Sequence, residues 1–217
     1  MITLYAAYNI PFNAKGLARD FRVIWALEEL GLPHTYHWMD AGKGEHKIDP
    51  NRGINPFGKI PALTDGDIKL FESAAIVHYL YEKAGQLPVD PTARTHLLQW
   101  MFAALNTVEM PFIELLRWDV FWEGRPGRDV QYPELIEACK TRAADLERAL
   151  GTKPYLLGDT FGPADILMTT TLEYGRHKPE IFANVPGIRA YLERIKARPA
   201  FQIALDKHLR GPSAKAA

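Results

Sequence analysis

Two short motifs carry the residue types best suited to chemistry. Gly58-Lys59-Ile60-Pro61-Ala62-Leu63 is an apolar strand with a proline near its start, and Phe71-Glu72-Ser73-Ala74-Ala75-Ile76 brings a Glu-Ser pair to the opening of a helix. A proline in a strand donates no ladder hydrogen bond, so it needs an edge position or a special purpose. A serine at a helix start leaves backbone N–H groups free to hold an anion. Together they suggest a binding wall for something short, peptide-like and carboxylated. Each motif also has a plainer reading, as an edge proline and as an N-cap serine beside a glutamate that complements the helix dipole. Cys139, the single cysteine, falls on an apolar helical face and reads as a buried inert thiol rather than a nucleophile.

The elements that must position these motifs follow from periodicity. Residues 2–7 are β-prone and apolar. Val23, Ala26, Leu27 and Leu30 repeat at helical spacing over 20–30, and Gly31 and Pro33 stop that helix. Residues 34–39 suit a second strand, and 41–58 form a polar loop with one helical turn at most. Residues 60–64 and 68–71 are short strands joined by Asp65-Gly66, and a helix follows over 73–83. The order is β-α-β, then β-β-α. Gly85, Pro88, Asp90 and Pro91 mark a linker over 85–92.

No strand pattern recurs beyond that linker. A long helical stretch over 93–123 should be kinked by Pro111. Pro133 reads as lying near the first turn of the next helix, which Gly151 ends. Helices near 163–177, 186–198 and 199–210 complete the chain. The expected division is therefore an α/β domain over 1–84 and an all-α domain over 93–217.

Composition narrows the function. The 217 residues include 47% hydrophobic side chains, enough for a core, and 26 basic against 26 acidic residues. Zero formal net charge argues against a general binder of nucleic acid or anionic membranes. One cysteine permits no intrachain disulfide and no CxxC motif. The start Met1-Ile2-Thr3-Leu4-Tyr5 lacks signal-peptide character, and no apolar run nears the ~18 residues of a membrane span. A soluble protein of the reducing cytoplasm is expected.

Four stretches in chain order resemble the cytosolic glutathione transferase family, of bacterial type and unassigned class. Arg22 to Pro33 is similar to its first helix, and Asn55-Pro56-Phe57-Gly58-Lys59-Ile60-Pro61-Ala62-Leu63 to its third-strand motif. Phe71 to Ile76 resembles its glutathione-carboxylate motif, and Gly158 to Ile166 its buried helix-capping motif. The resemblance implies a thioredoxin-like βαβ-ββα domain followed by an all-helical domain, and a homodimer. It also implies a cis Ile60-Pro61 bond, with the Ile60 backbone pairing glutathione as an added strand. Glu72 and Ser73 would take the γ-glutamyl end. Lys47, with His46 as competitor, is the candidate for the glycine carboxylate. Asp165 would cap its helix, and Gly162 stands where the family often has serine or threonine.

Such an enzyme must hold the thiolate of glutathione, whose free thiol ionises near pH ~8.5. The family commonly uses tyrosine, serine or cysteine early in the chain. Ungapped alignment from Arg22 puts the serine or cysteine position on Ala18, which has no hydroxyl or thiol. The loop over 8–19 offers Tyr8, Asn9 and Asn13 as candidate donors, with Lys15 and Arg19 as electrostatic helpers. The absence of cysteine there argues against mixed-disulfide chemistry. The implied reaction is addition of the thiolate to a small hydrophobic electrophile. Trp100, Phe102, Phe112, Trp118, Phe12 and Tyr174 are candidate pocket aromatics, though aromatics at helical spacing are more often core. A non-catalytic binding module of the same fold and a glutathione-dependent isomerase or lyase are the alternatives.

Overall fold

Alternation of burial in the first strand sets the layers of the first unit. Ile2, Leu4 and Ala6 of β1 (Ile2–Tyr8) are buried on one face, while Tyr5 sits against the ring of His37 on the other, 4.8 Å between centroids. The computed structural model describes residues 1–11, 14–48 and 51–213. β2 (His34–Asp40) runs parallel to β1, and β3 (Ala62–Asp65) and β4 (Ile68–Phe71) continue the sheet antiparallel in the order β2-β1-β3-β4. α1 (Asp20–Leu30) and α2 (Ser73–Lys83) pack together and bury Val23, Ile24, Leu27, Ile76, Val77 and Leu80. The loop after β2 contains two short turns, Glu45–Lys47 and Asn51–Gly53, one more than expected.

By its contacts the chain clusters into two compact units. One comprises Met1–Leu87 with Arg198–Ala217, and the other Pro88–Ala197. The last helix of the described residues, α8 (Pro199–Arg210), packs on α1. The reason is chemical complementarity. Phe201 meets the edges of Phe21 and Trp25, at 5.5 and 5.0 Å between centroids. Arg198 pairs with Glu29, and Lys207 with Glu28 at 2.8 Å.

The second unit has helices as its regular elements and no strand among its described residues beyond an isolated Tyr155–Gly158 bridge. α3 (Pro91–Phe102) passes through a π-helical stretch, Ala103–Val108, into α4 (Glu109–Val120). The expected break at Pro111 thus takes the form of a widened turn just before it. Pro111 can neither donate to the carbonyl four residues back nor approach it closely, and a wider turn relieves both. α5 (Arg128–Leu150) starts earlier than Pro133 suggested, and that proline stands inside the helix. One forfeited hydrogen bond does not stop a helix held by Ile136, Cys139, Ala143, Leu146 and Leu150 in the core. Burial pushes the Cys139 thiol up to about 12, as befits an inert core residue.

α6 (Pro163–Leu172) is buried along its whole length, and α7 (Pro186–Lys196) closes the unit. The Glu147 carboxylate receives the N–H groups of Gly187 and Ile188 at 2.9 and 2.7 Å, at the start of α7. A β-carbon on Gly187 would stand 3.0 Å from both carboxylate oxygens. Gly187→Ala is therefore expected to cost about 1 kcal/mol in chemical denaturation, through displacement of Glu147.

Candidate active site

The binding wall is built where β3 begins. The Ile60-Pro61 peptide is cis. Ahead of it, buried Asn51 and Asn55 donate their side-chain amides to the Lys59 carbonyl at 3.1 and 2.9 Å. Asn51 also donates to the His46 carbonyl, and the Asn55 carbonyl oxygen accepts from Phe57 N–H. These bonds fix the backbone on the N-terminal side of Ile60. Gly58, at φ +58°, lies so close to the Glu45–Lys47 turn that a β-carbon would stand 3.3 Å from Lys47 Cα. Lys47 is exposed beside this strand. His46 Nδ1 is buried without a hydrogen-bond partner among the described residues. Burial and the neighbouring charges of Lys47 and Lys59 hold the His46 imidazole below its usual range, so it is neutral at pH 7.

The Glu-Ser pair lies opposite. β3 and β4 pair with Ala62 across from Phe71, the last pair at that end of the ladder, so Pro61 and Glu72 are the next residues beyond it on the two chains. Glu72 is exposed and adopts φ +67°, a conformation costing roughly 1–3 kcal/mol that is stored most often at functional sites. That conformation turns the chain from β4 into α2. Ser73 is buried at the first position of α2, and Arg22 Nη1 donates to its hydroxyl oxygen at 3.1 Å. Arg22 is itself 1% exposed. A buried guanidinium behind a serine at a helix N-terminus gives an electropositive corner suited to a carboxylate.

The loop after β1 is fixed at both ends. β3 pairs β1 only as far as Tyr5, so the Ala7 N–H has no strand partner there, and Asp20 Oδ2 accepts it at 2.8 Å. Asp20 is fully buried in the first turn of α1. Tyr8 ends β1, is half-buried, and its hydroxyl makes no hydrogen bond among the described residues. Asn9, at φ +56°, donates its amide to Asp40 Oδ1 at 2.9 Å. That bond and the Lys43 N–H hold the Asp40 carboxyl below the ordinary carboxylate range. Asn13 and Phe12 lie outside the described residues. Ala18 sits in the turn that leads into α1, its carbonyl accepting from Phe21 N–H.

Comparison with known proteins decides what this wall belongs to. Residues 21–88 match the family model for the glutathione S-transferase N-terminal domain, and 132–207 the model for its C-terminal domain. A glutathione S-transferase named PARB from Nicotiana tabacum is 32% identical over 197 residues, spanning 86% of this chain and 92% of that protein. The chain belongs to the glutathione S-transferase family.

As a glutathione transferase it uses glutathione as co-substrate. Glutathione S-transferase F14 of Arabidopsis thaliana is 30% identical over 86% of this chain and 79% of its own length. Among solved structures, glutathione transferase F2 from Populus trichocarpa superposes with TM-score 0.84 at 24% identity, over 97% of this chain and all of that one, which speaks to the fold. A Burkholderia graminis glutathione transferase solved with two glutathione molecules per subunit gives 0.81 at 26% identity, over 97% and 89% of the two chains. The thioredoxin-like domain followed by a helical domain is thus the transferase fold.

Four residues of this transferase escaped sequence reasoning as parts of the site. Arg22 was one residue of a helix motif, and only the packing of α1 on α2 brings it to Ser73. Asn51 and Asn55 read as loop polarity, although asparagine flanking a cis-proline strand is the residue type that satisfies loop carbonyls. Asp20 gave a signal, an acidic residue in the first turn of an apolar helix, which reads equally as a dipole effect. Of the proposed pocket aromatics, Phe112, Trp118 and Tyr174 are core residues of the second unit, while Phe102 is 63% exposed.

Proposed function

We propose that this transferase seats glutathione along the Ile60-Pro61 edge and the N-terminus of α2, and directs its thiolate at an electrophilic carbon of a small hydrophobic substrate. One observation carries the reading: Ser73 is buried at the start of α2 with its hydroxyl held by a buried arginine, just past the end of the β3–β4 ladder that the cis Ile60-Pro61 peptide precedes. In this arrangement the Ser73 hydroxyl donates to the γ-glutamyl carboxylate while accepting from Arg22. Glu72, exposed beside it, accepts from the ammonium group. Ile60 offers backbone groups to the cysteinyl residue. Lys47 and the neutral His46 receive the glycine carboxylate. Titration calorimetry tests the seat: micromolar to millimolar glutathione binding to the wild type supports it, and no heat of binding refutes it.

The thiolate donor comes from the loop after β1. Tyr8 is the leading member of the set Tyr8, Asn9 and Asn13, because its hydroxyl is unengaged among the described residues whereas the Asn9 amide is given to Asp40. A phenol donating to sulfur stabilises the anion and lowers the thiol pKa toward neutrality. Tyr8→Phe is expected to lower kcat toward an aryl halide about tenfold with little change in glutathione affinity. Unchanged kcat in Tyr8→Phe, with a loss in Asn9→Ala, would move the role to Asn9.

A homodimer in the cytoplasm completes the reading. Phe57, 68% exposed and in edge contact with Phe71 at 6.0 Å, is an apolar side chain suited to a partner subunit. Sedimentation equilibrium at micromolar concentration should return twice the chain mass. No helix among the described residues is long and apolar enough to cross a membrane.

A further inference from the structure

His208 of α8 is buried, and both of its ring nitrogens are engaged far away in sequence. Its Nδ1 lies 3.2 Å from the Gly16 N–H, which donates to it, and its Nε2 lies 3.2 Å from Asp20 Oδ1. A backbone N–H can only donate, so Nδ1 must be unprotonated and Nε2 carries the hydrogen that Asp20 accepts. The tautomer is therefore fixed by its partners. Gly16 belongs to the loop between β1 and α1, and Asp20 is the residue that holds the Ala7 N–H at the other end of that loop. One imidazole thus ties the middle of the loop to its closing carboxylate.

The same end of α8 touches the loop again. Gly211, just past the helix, would bring an added β-carbon to 2.9 Å from Tyr8 Cβ. Tyr8, Asn9 and Lys15 share a cavity of about 120 Å³ with the segment from His208 to Gly211. Around the imidazole, Asp20 comes from α1, the Phe21 ring stands 5.6 Å away, and Lys15, Tyr8 and Arg210 line the adjoining cavity. The end of α8 and Gly211 thus meet the described residues of the loop at both Tyr8 and Gly16.

We propose that His208 is a positioning residue for thiolate formation. By accepting from Gly16 and donating to Asp20, it fixes the loop that presents the sulfur's donor, so the C-terminal helix sets the acidity of bound glutathione. The inference rests on the proposed role of the loop in holding the thiolate.

The test compares two near-isosteres. Asparagine can keep the acceptor for Gly16 but cannot reach Asp20; glutamine can reach toward Asp20 but leaves the Gly16 N–H without its acceptor. The readouts are thiolate absorbance of bound glutathione against pH, kcat, KM for glutathione, and melting temperature. His208→Gln is expected to raise the bound thiol pKa by about one unit and to lower kcat about tenfold, with KM for glutathione nearly unchanged. His208→Asn should recover at least half of both losses. Lys207→Met, which removes the ion pair to Glu28 on the same helix without touching the loop, should lower the melting temperature and leave the thiol pKa at its wild-type value.

Wild-type thiol pKa and kcat in a folded His208→Gln would overturn the proposal, as would an equal shift in Lys207→Met. Should His208→Gln not fold, the ¹⁵N signals of the wild-type imidazole decide: the Nε2–H tautomer supports the proposal and the Nδ1–H tautomer overturns it. Failure of the functional reading looks different, because wild-type protein would then show no thiolate signal with glutathione at any pH.

Discussion

Replacing Asp165 by alanine is expected to destabilise the second unit by about 3–5 kcal/mol, the largest stability loss of any single substitution argued from this structure. Three donors converge on that carboxylate: Leu156 N–H at 2.9 Å, Gly162 N–H at 2.9 Å and the Tyr191 hydroxyl at 2.9 Å. Asp165 is 1% exposed and Tyr191 fully buried. An alanine would leave all three donors buried without their acceptor, and each such loss costs about 1–3 kcal/mol. A cap alone accounts for only about 0.5–2 kcal/mol. At N-cap position Gly162 the return bond comes from its backbone carbonyl, which accepts from Asp165 N–H at 3.0 Å, so no side-chain partner shares the load. Burial and the nearby Asp165 charge also raise the Tyr191 phenol well above its usual range, which keeps it a donor at every accessible pH. Urea denaturation of Asp165→Ala and Asp165→Asn measures the effect. A loss below about 1 kcal/mol in the alanine variant would reduce the residue to an ordinary cap.

Ser73→Ala is expected to weaken glutathione binding about 10- to 100-fold in titration calorimetry, with the fold intact. A hydrogen bond to a charged group is worth about 1.5–3 kcal/mol, and a tenfold change corresponds to about 1.4 kcal/mol. The alanine removes the carboxylate's hydroxyl donor and leaves Arg22 Nη1 without this acceptor. The guanidinium charge remains close, so binding should weaken rather than vanish. Affinity equal to wild type would separate Ser73 from the carboxylate and return it to the role of a helix-start residue.

Much of the first unit could be read from its residues because its signals are local. The proline before Ala62, the Asp65-Gly66 turn and the Glu-Ser pair at α2 each act within a few residues. The pairing of Ala62 with Phe71 then puts the Ile60-Pro61 peptide and the start of α2 at one end of the same ladder. Arg22, Asp20 and His208 were not legible as a group because what joins them is packing across long stretches of chain. A buried arginine or histidine has no local pattern that separates it from an exposed one. The same reason explains α8: its amphipathic spacing marks a buried face but does not say against what, and Phe201 answers only when placed beside Phe21 and Trp25. The early start of α5 is not legible for a different reason: a proline suits a first turn, but the burial of its neighbours here outweighs one lost bond.

The docking of α8 on α1 also sets an order of events during synthesis. Phe21 and Trp25 leave the ribosome well before the side chain that covers them, Phe201. Everything from Pro88 to Ala197 is made in between. A nascent glutathione-binding unit therefore stays unfinished, with an aromatic face bare, until the whole helical unit has been produced. The arrival of α8, rather than local folding, completes the core of the first unit.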